Sequence, residues 1–234
     1  MARASGGNGL SMDDSVDRLS YERVFWREHP AAALAGVDEA GRGPLAGPVI
    51  AAALLMPPEV AEAGLAGDLR DLTDSKQLRA SRREAFYELL TSIPEVCIGV
   101  GWCSAAEIDD LNILCATHLA MRRAIQALSK RPDHVLVDGL PVKGLPCNST
   151  AIVKGDAKSL LIAGASVVAK VLRDRRMQEL DQQYPGYGFG RHKGYGTHDH
   201  VCALLHLGPC PEHRRSFRPV QDALQMLPGM QAHG

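Results

Sequence analysis

The sequence predicts an α/β fold: a mixed five-stranded sheet flanked by helices, with a C-terminal helical extension. Three observations predict it. Five short apolar runs, at 35–39, 49–56, 96–103, 135–137 and 150–153, have the length and composition of strands. Long helical stretches at 111–128 and 158–182 follow the third and the fifth of them. With strands early and crossovers late, the sheet is expected to be mixed, and its active residues to lie at strand carboxyl ends.

The elements follow in order. Residues 21–33 read as a short helix leading into the domain. Ala35–Glu39 is short and apolar and ends in two acids before Gly41 and Gly43. Val49–Met56 is a buried-type run stopped by Pro57 and Pro58. A helix over about 82–92 is expected to start on a capping box of Ser81 and Glu84, ahead of the strand Val96–Cys103. Ser104 and Glu107 repeat the box before a short turn, and Leu111–Leu128 is apolar at helical spacing until Pro132. Val135–Val137 runs into Asp138-Gly139, and Thr150–Val153 into Lys154-Gly155-Asp156. The helix over 158–182 carries a face of Leu161, Ala165, Val168, Ala169 and Leu172. Pro185 to Gly196 reads as an exposed glycine-rich loop, and Thr197 caps a last helix that stops near Gly208-Pro209.

At 234 residues with no internal repeat, the simplest division is a tail over 1–30, disordered or a short helix, one catalytic domain over 31–222, and a C-terminal tail over 223–234. Aromatics make up only 5% of the chain, so the core must be built from Ala, Val, Leu and Ile. None of the six cysteines forms a C-x-x-C pair, as expected of reduced thiols in a cytoplasmic protein. The N-terminus lacks the apolar core of a signal peptide, and the longest apolar run, Val49–Met56, is too short to span a bilayer. A monomer with no membrane attachment is expected. The net charge of −1 conceals a division. Residues 1–119 carry 10 Lys and Arg against 18 Asp and Glu, and residues 120–234 carry 16 against 9. A basic surface and an acidic site in different parts of one fold would produce it, as would chance.

The acids carry the chemistry. Asp38 and Glu39, Asp138, and Asp156 each follow an apolar strand. One such Asp is an ordinary turn residue. Three strand ends that repeat the placement suggest that the carboxylates converge, where mutual repulsion would raise their pKa values. Divalent cations resolve that conflict, and hard oxygen ligands suit Mg²⁺ or Mn²⁺. Such a cluster serves two-metal phosphoryl transfer, of which phosphodiester hydrolysis is one form. Arg42, between two glycines, can grip phosphate bidentately, and Lys154, Lys158, Arg191 and Lys193 are candidate phosphate contacts. Asp174 is expected to pair with Lys170 one turn back or with Arg173 rather than hold metal. The histidines near the C-terminus match no zinc spacing. Ala46 breaks any G-x-G-x-x-G pattern and no Walker lysine follows a glycine loop, so a nucleotide cofactor has no support.

The run Gly36-Val37-Asp38-Glu39-Ala40-Gly41-Arg42-Gly43-Pro44-Leu45-Ala46-Gly47-Pro48-Val49 resembles the N-terminal signature of bacterial ribonuclease HII. The resemblance continues in family order through Asp74-Ser75-Lys76-Gln77-Leu78, Val137-Asp138-Gly139, Val153-Lys154-Gly155-Asp156, Ala165 to Asp174, Tyr187-Gly188-Phe189, and His192-Lys193-Gly194-Tyr195-Gly196-Thr197. It implies an RNase H-like fold and four catalytic, metal-binding acids at Asp38, Glu39, Asp138 and Asp156. It further implies that Gly41, Arg42 and Gly43 grip the backbone at the ribonucleotide, that Tyr195 lies against the sugar, and that Ser75 and Lys76 help hold the nucleic acid. His192, in the same loop as Lys193, is expected to assist. The implied activity is metal-dependent cleavage of RNA in RNA–DNA hybrids and on the 5′ side of ribonucleotides in duplex DNA. The products would carry 3′-hydroxyl and 5′-phosphate ends. A junction resolvase and a non-catalytic nucleic-acid module of the same fold are the rival readings.

Overall fold

In the computed structural model, which describes residues 17–226, the strands fall where the apolar runs place them. β1 (Leu34–Ala40), β2 (Val49–Leu55) and β3 (Cys97–Cys103) form an antiparallel meander. β4 (His134–Asp138) and β5 (Asn148–Ile152) add in parallel on the other side of β1, giving the order β3-β2-β1-β4-β5. This is the mixed five-stranded sheet expected. Because β1, β4 and β5 run the same way, their carboxyl ends share one sheet edge. Val37 lies opposite Val137, so the chain passes into Asp38 and Asp138 side by side, and Asp138 in turn lies opposite Ile152.

Helices cover both faces. On one, α5 (Ile113–Gln126) sets Ala116, Ala120 and Ala124 on Ala35, Val37 and Ala53. On the other, α6 (Leu160–Gln183) sets Leu161, Ala165 and Val168 against Leu34, Leu54 and Leu136. Each large apolar side chain so buried contributes roughly 1.5–3 kcal/mol. Ala52 of β2 and the glycine at 36 bring α6 close: a Cβ on Gly36 would run into the α6 backbone at Leu161 and Ile162.

α1 (Ser20–Glu28) ties the N-terminal segment to this core. Leu19 and Trp26 are buried in the α6-side cluster. Glu22 is fully buried at the α6 N-terminus, accepting from the Ser159 hydroxyl at 2.5 Å and the Leu161 amide at 3.2 Å. Burial raises its pKa, and its second oxygen, Oε2, has no hydrogen-bond partner among the described residues.

Several local expectations are corrected. α2 (Pro58–Ala66) follows β2 directly, with Pro58 in the first turn, where a missing N–H costs nothing. α3 (Ala80–Ser92) starts on Arg79 with no side-chain cap, so the Ser81–Glu84 box does not form, and Glu84 instead pairs with Arg175 at 2.6 Å. The Ser104–Glu107 box does form, and it opens a full helix, α4 (Ala105–Leu111), where a short turn was expected. The anticipated helix 111–128 is interrupted at Asn112 (φ 69°, ψ 160°), a conformation costly for any residue but glycine. Its side chain accepts the Cys115 amide at 3.0 Å and so starts α5.

The expected exposed loop at 185–196 contains α7 (Phe189–His192) and packs inward. Tyr187 and Phe189 stack with centroids 5.2 Å apart, in a cluster with Met177 and Leu180 of α6. The C-terminal extension is α8 (His198–Leu207), capped by Thr197, and α9 (Arg218–Met226), which buries Val220 and Ala223 beside Leu45 and Leu204. Of the expected tails, residues 1–16 and 227–234 lie outside the described residues. No described helix is long and apolar enough to cross a membrane.

Candidate active site and metal centre

The parallel strand ends bring three acids from distant sequence to one point. Carboxylate oxygens of Asp38, Asp138 and Asp156 all lie within 4.8 Å of one another. Asp38 is in β1 and 5% exposed, and it accepts the Glu39 amide at 2.7 Å. Asp138 closes β4 and accepts the Gly155 amide at 2.6 Å, which draws in the 3₁₀ turn Gly155–Ala157 that carries Asp156. Lys154 precedes that turn in a left-handed conformation, with its side chain exposed to solvent.

The electrostatics match a site built for cations. Burial pushes the Asp38 carboxyl well above its usual range, and the charges of Glu39 and Asp138 add to the shift. Burial, then the charges of Asp138 and Asp74, raises Asp156 to about 6. Glu39 is also raised, by burial first, against the pull of Arg42, whose guanidinium is 3.2 Å away. Burial works against the ammonium of Lys76, but the surrounding carboxylates, Asp38 first, outweigh it and raise its pKa. At an effective dielectric of about 20, two unit charges 4.8 Å apart repel by roughly 3.5 kcal/mol. Ionising these carboxyls together is therefore costly, and cations would offset the cost. An all-oxygen donor set of this density fits Mg²⁺ or Mn²⁺.

Beside the acids lies a cleft of about 580 Å³ lined by Glu39, Gly41, Arg42, Gly43, Ser75, Lys76, Asp138 and Tyr195, among others. The structure thus brings together most residues singled out from the sequence. Ser75 is buried, and its hydroxyl shares a 2.9 Å hydrogen bond with Ser166 of α6. Lys193 and His192 do not line the cleft: the Lys193 ammonium donates to Gly190 O at 2.7 Å, and His192 is buried beneath the loop. Asp174 pairs with Lys170 at 2.5 Å, as the one-turn spacing suggested, and with Arg83 at 3.5 Å, while Arg173, the other expected partner, turns to backbone carbonyls instead.

Two residues not anticipated from sequence shape the cleft. Arg173 and Arg214 are fully buried, and neither forms an ion pair among the described residues. Arg173 donates to the carbonyls of Pro48, Lys193 and Ala46, and Arg214 to those of Gly41, Arg42 and Gly47. Burial lowers their pKa values to about 10 and about 9, and both stay cationic at neutral pH. They clamp the 41–48 loop from inside. Gly41 (φ +100°) has no room for a Cβ, which would meet the Arg173 side chain. A signal for Arg173 existed: it stands four residues from both Ala169 and Met177, on the buried stripe of α6. Nothing in the sequence marks Arg214, whereas Ser166 lies within the Ala165 to Asp174 block.

Comparison with known proteins agrees with this architecture. The family model for ribonuclease HII matches residues 35–220. A ribonuclease HII of Paracidovorax citrulli is 49% identical over 218 residues, covering 93% of this chain and 87% of that one. Among solved structures, the ribonuclease H2 of Pyrococcus horikoshii OT3 superposes with a TM-score of 0.67 at 28% identity, covering 82% of this chain and 97% of that one. Bst-RNase HIII, solved in complex with Mn²⁺, shares the fold (TM-score 0.66, 15% identity, 84% of this chain and 70% of that one). With the family model spanning most of the described residues, and a relative this similar along nearly its whole length, the chain belongs to the ribonuclease HII family and is a hydrolase of the ribonuclease H type.

Proposed function

We propose that this chain is a divalent-metal-dependent endonuclease. It hydrolyses the RNA strand of RNA–DNA hybrids and incises on the 5′ side of ribonucleotides embedded in duplex DNA, leaving 3′-hydroxyl and 5′-phosphate ends. The observation that carries the reading is the convergence of Asp38, Asp138 and Asp156 to within 4.8 Å, next to a cleft lined by Arg42 and Tyr195. Two Mg²⁺ or Mn²⁺ ions held by Asp38, Glu39, Asp138 and Asp156 would lower the pKa of the attacking water and offset charge on the departing 3′-oxygen.

The chain's own residues do the rest. Gly41 and Gly43 let the backbone approach the nucleic acid, and Arg42 offers a planar pair of donors to a phosphate. Arg173 and Arg214 hold that loop rigid and add positive potential beneath it. Tyr195 stands across the opening from Gly43, where a phenol ring can pack on a ribose. The 2′-hydroxyl is what separates ribose from deoxyribose, so the reader of that group must lie between this ring and the glycine backbone. Ser75 and Lys76 flank the acids, and Lys154, Lys193 and His192 complete the substrate side, the last two by shaping the loop. The enzyme is proposed to act as a cytoplasmic monomer.

The test is cleavage of a DNA duplex carrying one ribonucleotide, beside an all-DNA duplex, with Mg²⁺, Mn²⁺ or chelator. Cleavage should require both metal and ribose. Asp38→Asn should abolish it while duplex binding and the circular dichroism spectrum persist. Metal-dependent cutting by Asp38→Asn, or equal cutting of the all-DNA duplex, refutes the proposal.

A further inference from the structure

Three histidines that touch neither the acids nor the cleft lie beneath the Tyr195 turn. His192, His200 and His213 are 9%, 0% and 1% exposed, and all three pack around the Phe189 ring. Every one of their ring nitrogens has a partner. Nδ1 of His200 is 2.9 Å from the Tyr195 carbonyl oxygen, and its Nε2 is 3.1 Å from Nε2 of His213. Nδ1 of His213 receives the Cys210 amide at 3.0 Å. His192 stacks on His200 at 4.5 Å, with its Nε2 2.8 Å from the Tyr187 carbonyl and its Nδ1 3.2 Å from the Gly194 amide.

The backbone groups at the ends of these chains dictate where the protons sit. A carbonyl only accepts, so His200 must carry its proton on Nδ1. Its Nε2 is then a lone pair, and His213 must supply the proton from its own Nε2. That leaves Nδ1 of His213 as the acceptor the Cys210 amide requires. The bonds run in one direction, from the Cys210 amide through His213 and His200 to the Tyr195 carbonyl. By the same reasoning His192 is protonated on Nε2 alone. One more proton on any of the three would set two donors face to face. Burial opposes it too, and lowers the pKa of His200 and, to about 4, that of His213. The remaining groups around the set are the Cys210 thiol, 3.2 Å from His213 Nδ1, and the Tyr187 hydroxyl, which is committed to Gly208 O at 2.6 Å.

We propose that His192, His200 and His213 are positioning residues that hold the Gly194–Tyr195 backbone in one place through a single, uncharged pattern of tautomers, so that the Tyr195 ring meets the sugar. The claim about the sugar rests on the proposed function. The lock itself rests only on the hydrogen-bond directions. Three histidines serving merely as core filler would need neither one tautomer pattern nor any coupling to Tyr195.

Two measurements test it. Long-range ¹H–¹⁵N NMR of the full chain at pH 7 should show three uncharged imidazoles, His200 protonated on Nδ1 and His192 and His213 on Nε2. A charged ring, or His200 protonated on Nε2, overturns the lock, and no variant is needed to see it. The second is a double-variant cycle on the duplex with one ribonucleotide. His200→Leu should lower kcat/KM about tenfold, the effect of one lost buried hydrogen bond. His200→Asn, which keeps a donor for the Tyr195 carbonyl, should recover part of the loss, and Mn²⁺ affinity should be unchanged. Adding Tyr195→Ala to His200→Leu should be no worse than Tyr195→Ala alone, and effects that multiply overturn the positioning role. A parent chain that cuts no ribonucleotide overturns the substrate reading instead, while the NMR spectrum still judges the lock.

Discussion

Asp156→Asn should make the metal-free protein more stable. The parent carboxyl is raised from 3.8 to about 6 by burial and by the charges of Asp138 and Asp74. A shift of that size means that ionising Asp156 in the folded state costs roughly 3 kcal/mol more than in the unfolded chain. The sign follows from the raised value. The group's contribution to stability is fully present below pH 3.8 and is lost as pH rises through 6. At pH 7.5 the parent bears the whole cost and the amide bears none. The variant should therefore gain about 2–3 kcal/mol, a rise in Tm of roughly 4–12 °C for a chain of this size. At pH 5 the gain should fall to about half. Differential scanning calorimetry in chelator, at pH 5 and 7.5, measures both. With Mn²⁺ added the order should reverse, because ligand binding stabilises the parent and the variant has lost a ligand. A chelated variant that melts at or below the parent at pH 7.5 would refute the account of a strained acid cluster.

Other expectations follow from the same site. Mn²⁺ affinity, measured by titration calorimetry, should fall as pH drops below about 6, with protons released on binding, because Asp38, Glu39 and Asp156 must ionise to serve as ligands. Arg214→Ala leaves the carbonyls of Gly41, Arg42 and Gly47 without their buried donor and should cost roughly 3–5 kcal/mol in urea unfolding. A loss under about 1 kcal/mol would show that the loop does not depend on the clamp. Gly41→Ala, at φ +100° and against Arg173, should destabilise by about 2 kcal/mol and raise KM for the ribonucleotide duplex. If Arg42, Lys76 and Lys154 each neutralise a phosphate, duplex affinity should drop roughly 40-fold between 50 and 200 mM salt, read by fluorescence anisotropy.

The strands and the acids were legible because both leave marks in the sequence. A parallel strand covered on both faces needs a continuous apolar run, and Val135 to Val137 is one, so the polar residue that ends it stands out. Burial of β1 made Asp38 and Glu39 conspicuous in the same way. Helix boundaries were less legible. The apolar spacing runs unbroken through 112, and an asparagine there carries no sign that the chain adopts a positive φ. Ser81 and Glu84 have capping-box spacing, but the helix already begins at Ala80 and Arg175 claims Glu84. The inner shell of the site was the least legible part. A buried Arg214 and an exposed one look alike in sequence, since what distinguishes them is a set of carbonyls from a loop some 170 residues earlier. His192 was expected on the substrate side, but its partners, Tyr187 O and Gly194 N, turn it inward.

The parallel pairing of β1 with β4 and β5 has a consequence for synthesis on the ribosome. Asp38 waits for a partner about a hundred residues downstream, and Asp156 arrives later still. The 193–194 turn and the 210–214 segment that brace the 41–48 loop follow later still. A nascent chain therefore displays the signature loop long before it can assemble a competent centre, and closing such long loops is slow. Nuclease activity in this architecture is acquired only once residues 210–214 have been made and reach back to the 41–48 loop.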